Sequence, residues 1–224
     1  MKPVDATSRR KVLQQVAGMG ALGLVTPWRS ALAALSPTPE QTRGPFYPTP
    51  LPLERDADLT MVKGARERAS GQVIQVTGRV LDRDGKPIRR ASIELWQANS
   101  HGRYDHPRDI NPAPLDPNFQ GYARITTDAE GRYSFKTIKP GAYPINPMNP
   151  DAVRTPHIHF DVAAKGRHLV TQMYFPGEAL NEGDQIFGAL GRQKNAAIAH
   201  VLPSTADIAA GGTLFGWDIV LGKA

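Results

Sequence analysis

Proline and glycine recur at short intervals along this chain, 20 of one and 21 of the other in 224 residues, and that spacing constrains the fold more than any other feature. Proline removes a backbone donor and fixes φ, and glycine weakens element interiors, so long helices have little room. Short strands fit between the breaks. Residues 72–81 set Val73, Val76 and Val80 among polar neighbours, and Asp82-Arg83-Asp84-Gly85 reads as a hairpin turn back toward a second strand over 92–97. A second unit repeats the pattern, with a strand over 122–126, the turn Asp128-Ala129-Glu130-Gly131 and a strand over 132–135. Residues 157–162, 168–175 and 213–221 read as further strands, and 195–201 as a short helix. Seven short strands at this spacing predict an all-β fold, a sandwich of mostly antiparallel strands whose long loops carry the chemistry.

The formal charge of +6 raises nucleic acid or a membrane surface as partners, provided the charge forms a patch. Much of it sits at the N-terminus instead. Residues 1–33 carry Lys2, Arg9, Arg10, Lys11 and Arg29 against Asp5 alone, which leaves +2 for the remainder, scattered without a basic run. Ser8-Arg9-Arg10-Lys11 leads into a Gly/Ala-softened apolar run over 12–25, and Ala31-Leu32-Ala33 supplies a small-residue cleavage site. That order is the order of an export signal, and the paired arginines are similar to the twin-arginine type. The expected organisation is an export signal over 1–33, an N-terminal arm and linker over 34–71, and one β-domain over 72–224, exported to the periplasm. No nucleic-acid partner is expected, and no membrane span once the leader is gone, since no apolar run reaches the roughly 18 residues a span needs. Cysteine is absent, so any metal must be held by nitrogen and oxygen donors.

His157-Ile158-His159 is the sharpest local signal, because side chains at i and i+2 of a strand project to one face and two imidazoles can then reach one metal. Gly102-Arg103-Tyr104 and Gly141-Ala142-Tyr143-Pro144 each present a tyrosine from irregular backbone between strands. A phenol of pKa about 10 stays protonated at neutral pH unless a strongly charged ion stabilises the phenolate. Two phenolates and two imidazoles would suit Fe(III). Each residue also has an ordinary reading, as a hydrogen-bonded core histidine or a rim aromatic with its hydroxyl in water.

The motifs taken in order resemble an intradiol ring-cleavage dioxygenase of the protocatechuate 3,4-dioxygenase type. They are Gly78-Arg79-Val80, Leu95-Trp96-Gln97-Ala98-Asn99, Gly102-Arg103-Tyr104, Leu115-Asp116-Pro117-Asn118-Phe119, the run from Tyr133 to Gly141, and Pro156-His157-Ile158-His159-Phe160, with Gly44-Pro45-Phe46-Tyr47-Pro48 upstream and Trp217-Asp218-Ile219 downstream. The resemblance implies one non-haem Fe(III) per chain, held by Tyr104, Tyr143, His157 and His159, with Tyr143 the tyrosinate that dissociates when a catechol binds. It places Arg154 and Gln172 at the substrate and oxygen site, and Tyr47 more weakly at the substrate. The implied reaction opens a catechol with O2 between its two hydroxylated carbons to a cis,cis-muconate-type product, in a chain that can form a homo-oligomer. After Tyr143-Pro144 this chain has Ile145-Asn146-Pro147 where the family usually has a tryptophan and an arginine, so the substrate cannot be carried over. The competing reading is a transthyretin-like binding module, since Gly78 to Phe135 also fits the pattern of non-enzymatic sandwiches.

Overall fold

In the computed structural model, which describes residues 34–146, 148–203 and 212–222, eleven strands make up nearly all of the regular structure. The expected leader over 1–33 lies outside the described residues. The strands are β1 (Val73–Leu81), β2 (Ser92–Trp96), β3 (Tyr122–Thr126), β4 (Arg132–Ile138), β5 (Tyr143–Asn146), β6 (Asn149–Arg154), β7 (His157–Ala164), β8 (Arg167–Tyr174), β9 (His200–Leu202), β10 (Thr213–Gly216) and β11 (Ile219–Val220). Two short helices, α1 (Gln185–Ala189) and α2 (Lys194–Ala197), lie between β8 and β9. One sheet is built around β1, with β4 on one side and β10 and β11 in parallel on the other. The second runs β3-β2-β7-β8, wholly antiparallel, and β5 and β6 form a separate two-stranded ribbon.

The two large sheets face each other across one apolar core. Ile74, Val76, Val80, Tyr133, Phe135 and Ile219 come from the first, and Ile93, Leu95, Ile158, Phe160 and Val162 from the second. Phe160 of β7 meets Trp217 at 5.0 Å and Phe135 at 5.9 Å between ring centroids, both edge to face, which is the favoured aromatic geometry. Because strand side chains alternate, Ile158 and Phe160 entering this core oblige His157 and His159 to project from the opposite face. On that outer face His157 and His159 are buried as well, beside the aromatic cluster of Tyr104 and Tyr143 with Phe46 and Tyr47 of the N-terminal arm.

Both expected hairpins are corrected. β1 and β2 lie in different sheets, as do β3 and β4, so each turn carries the chain from one sheet to the other. The turns themselves form: Asp82 Oδ1 accepts from the amides of Asp84 and Lys86, and Asp128 Oδ1 from those of Glu130 and Arg132. After the first, Leu81 bridges to Pro87, which has no N–H to extend a ladder, and Arg90 at φ +55° helps swing the chain across. A tight hairpin does form at β7–β8, closed by Lys165 and Gly166 with φ of +50° and +76°, the pair of positive values of a type I′ turn.

Three further readings change. The expected strand over 213–221 divides into β10 and β11, because the Asp218 side chain, in place of backbone, accepts the Arg79 amide. A close approach fixes this break, since a Cβ on Gly78 would lie 1.8 Å from the Trp217 carbonyl oxygen. The expected helix over 195–201 is one turn, after which Ile198 bridges to Tyr174 and β9 begins. Tyr143, expected in a turn, opens β5 and pairs with Arg154 on β6.

Candidate metal centre

β7 delivers the two histidines side by side, with His157 Nε2 and His159 Nε2 3.2 Å apart. The His157 Nδ1 lies 2.6 Å from the Thr155 carbonyl oxygen, which can only accept, so Nδ1 bears the proton and Nε2 presents its lone pair. His159 Nδ1 has no hydrogen-bond partner among the described residues; its ring is held instead by packing. The Trp96 indole stacks on it at 4.8 Å and 7°, and a Cβ on Gly44 would come within 3.3 Å of its Cε1. Trp96 reaches it because β2 pairs with β7 and places Trp96 opposite His159.

Two abutting loops bring the tyrosines over these rings. Gly102 has φ +77°, and a Cβ there would lie 2.1 Å from the Ala142 carbonyl oxygen, so the Tyr104 and Tyr143 segments pack with no room for a side chain between them. Asn99 joins both segments: its side-chain oxygen accepts the His101 and Arg103 amides, and its backbone carbonyl accepts the Gly102 and Gly141 amides. The Tyr104 amide is fixed by Asp109 Oδ2 at 2.7 Å. Ring centroids lie 5.5 Å apart for Tyr104 and Tyr143, 6.3 Å for Tyr104 and His159, and 5.7 Å for Tyr143 and His157. All four residues are buried.

Burial dominates the electrostatics here. It pushes the Tyr104 phenol well above its ordinary pKa, reinforced by Tyr143, and it raises that of Tyr143 against the opposing charge of Arg154. It also holds both imidazoles well below 6.5, with Arg154 acting in the same direction on each and His157 doing so on His159. The pocket therefore contains neutral imidazoles with lone pairs to give and phenols that ionise only against a strong positive charge. This donor set, all nitrogen and anionic oxygen, fits a hard trivalent cation such as Fe(III). No group of three or more His, Asp or Glu side chains converges among the described residues, at this pocket or outside it, so a metal held here would need the two tyrosines.

Arg154 and Gln172 lie directly behind these rings. Arg154, 5% exposed, donates through Nε to Asp184 Oδ2 at 2.8 Å and through Nη2 to Gln172 Oε1 at 2.6 Å, so it forms a buried ion pair rather than a surface one. Burial opposes its charge, but Tyr143 and Asp184 outweigh that and raise its pKa. Gln172 stands opposite His159 on β8 and donates to the Thr42 carbonyl. Tyr47 packs on the same aromatic cluster as Tyr104 and Tyr143: its hydroxyl donates to Glu94 at 2.6 Å and its ring meets Trp96 edge to face, with its pKa pushed up to about 12 by burial and by Glu94. Sequence reasoning named Trp96 and Asn99 only as members of a motif, without a role, and did not single out Thr155 or Asp184. Trp96 could have been found from alternation along β2, whereas the link from Arg154 to Asp184 spans 30 residues and has no local signature.

A family model described as Dioxygenase (Dioxygenase_C) matches residues 42–223 of the chain. Over 138 residues the chain is 54% identical to a protocatechuate 3,4-dioxygenase beta chain from Burkholderia cepacia, covering 61% of this chain and 57% of that protein. It is 32% identical over 156 residues to a hydroxyquinol 1,2-dioxygenase from a Rhizobium species, covering 65% of this chain and 50% of the other. The chain thus spans about half the length of the curated relatives it matches. Among solved structures, the dioxygenase domain of a dioxygenase–carbohydrate-binding fusion from Streptomyces sp. SirexAA-E aligns with a TM-score of 0.62 at 30% identity, covering 84% of this chain and all of that one. Catechol 1,2-dioxygenase from Pseudomonas arvilla aligns with a TM-score of 0.64 at 29% identity, over 84% of this chain and 62% of the other.

Proposed function

The chain belongs to this dioxygenase family, and from that premise we propose that it is a non-haem Fe(III) intradiol dioxygenase, opening a catechol with O2 between its hydroxylated carbons to a cis,cis-muconate-type diacid. The observation that carries the reading is the convergence of Tyr104, Tyr143, His157 and His159 in one buried pocket, a set that a ligand-binding sandwich does not need. Bound there, ferric iron would supply a Lewis acid and an orienting template for the catechol.

The protein's own groups account for the rest of the site. Trp96 and the Thr155 carbonyl hold the two imidazoles in orientation, and burial excludes water, so fixed charges act at low dielectric. Tyr143 pairs in register with Arg154, which sets a guanidinium charge beside the phenol whose Oη would take a catechol proton. The Arg154 charge would also favour negative charge gathering on the opening ring. Gln172 acts through Arg154, holding its Nη2.

Pure protein should be red-brown from a ferric–tyrosinate absorption that shifts on adding catechol, and should consume O2 with at least one of catechol, protocatechuate and hydroxyquinol. Colourless, iron-free protein that consumes none would overturn the proposal. The leader belongs to the same reading: an enzyme carried across the membrane already folded around its metal, by a twin-arginine route to the periplasm. Among the described residues no helix is long and apolar enough to cross a membrane.

A further inference from the structure

We infer that Asp184 is a positioning residue for this centre, one buried carboxylate that orients both Arg154 and Thr155, the residue whose carbonyl fixes His157. Asp184 is 1% exposed and stands at the start of α1. Its two oxygens have different work. Oδ1 accepts from the amides of Ile186 and Phe187, both at 2.9 Å, which is ordinary helix capping. Oδ2 faces away from the helix and accepts Arg154 Nε at 2.8 Å and the Thr155 amide at 3.0 Å. A cap alone needs neither the second oxygen nor a charge, since Asn, Ser and Thr cap as well.

The two bonds to Oδ2 lead to the metal pocket along separate routes. Through Thr155, the residue whose amide Asp184 holds is the residue whose carbonyl accepts His157 Nδ1–H at 2.6 Å. Thr155 is tied a second time by its hydroxyl, which donates to Asn181 Oδ1 at 2.8 Å, and Asn181 Nδ2 donates to the Phe175 carbonyl. The loop after β8 thus clamps, by its amide and its hydroxyl, the residue whose carbonyl decides which His157 nitrogen bears a proton. Through Arg154, the carboxylate fixes the guanidinium whose Nη2 reaches Gln172 Oε1. Asp184 touches neither imidazole nor phenol. Hydrogen-bonding partners of this kind, one step from a metal ligand, set ligand orientation and basicity.

This inference rests on the reading of His157 as a ligand, so the test separates the two. Asp184→Asn keeps Oδ1 for the cap and replaces the second acceptor with an amide donor facing Arg154 and Thr155. In the full-length iron-loaded protein the expected result is a shifted ferric–tyrosinate band and iron loss to EDTA faster by about ten-fold, with both partly restored in Asp184→Glu. A variant with a lowered Tm but an unchanged band and unchanged iron release would make Asp184 a helix cap only and overturn the inference. Ring 15N NMR of the metal-free protein reads the same point without iron: wild type should show His157 wholly as the Nδ1–H tautomer, and Asp184→Asn a mixture. If the wild-type protein takes up no iron, the iron reading fails while the tautomer result still decides the role of Asp184. If Asp184→Asn does not fold, Asp184→Ser, which can still cap the helix but offers no second acceptor to Arg154 and Thr155, is read in its place, and an unchanged band, release rate and tautomer overturn the inference.

Discussion

Tyr143 is the residue on which opposing influences meet most directly. Burial raises its pKa, and Arg154 beside it lowers it, so its ionisation is the most readily changed of the two phenols. Tyr143→Phe should leave the core untouched, because the ring stays and only the hydroxyl goes. It should cost most of the O2 consumption and move the visible band, which absorption and an oxygen electrode would show. The histidines make a second prediction at this scale. Their folded pKa values are depressed below 6.5, so in the window beneath 6.5 the unfolded chain binds more protons than the folded one, and stability rises with pH there. Metal-free protein should therefore be stable above pH 6.5 and lose stability as the pH falls below it, with a shallower fall in His159→Gln. Urea denaturation at a series of pH values would check this.

Among the elements, β7 serves two faces at once. Ile158 and Phe160 hold the two sheets together while His157 and His159 face outward, an arrangement readable from the sequence because alternation is a local property of a strand. Phe160→Ala removes the ring that meets Phe135, Tyr133 and Trp217, and should cost about 3–5 kcal/mol in chemical denaturation. The tyrosine loops depend on a different constraint. Gly102→Ala forces a Cβ against the Ala142 carbonyl at a positive φ, and should separate Tyr104 from Tyr143. Circular dichroism should remain that of a β protein while bound iron, measured by atomic absorption, drops. Strand positions such as those of β1, β2 and β3 follow from periodicity and turn residues; their partners do not. Asp82-Arg83-Asp84-Gly85 has the composition of a hairpin turn and forms a turn, yet the chain leaves it for the other sheet, because the apolar face of β2 finds its burial opposite β1 rather than beside it.

For the whole molecule, the charge of +6 divides into a basic segment over 1–33, proposed as a leader, and a nearly neutral remainder. If the leader directs twin-arginine export, replacing Arg9 and Arg10 by lysine should leave the protein in the cytoplasm, coloured and active, while the parent accumulates in the periplasmic fraction. Equal distribution of the two would count against that route. The types of ligand available, the strand on which the histidines sit and the lack of any thiolate were settled by the amino-acid order itself, since each depends on residues close together in the chain or on a residue type that is absent. Only the tertiary structure decided that Trp96 covers His159, that Tyr47 turns to Glu94, and that Asp184 holds Arg154 and Thr155. Those contacts join residues far apart in sequence, and their geometry depends on which strands pair and where the chain crosses between sheets. Local periodicity carries no information about either.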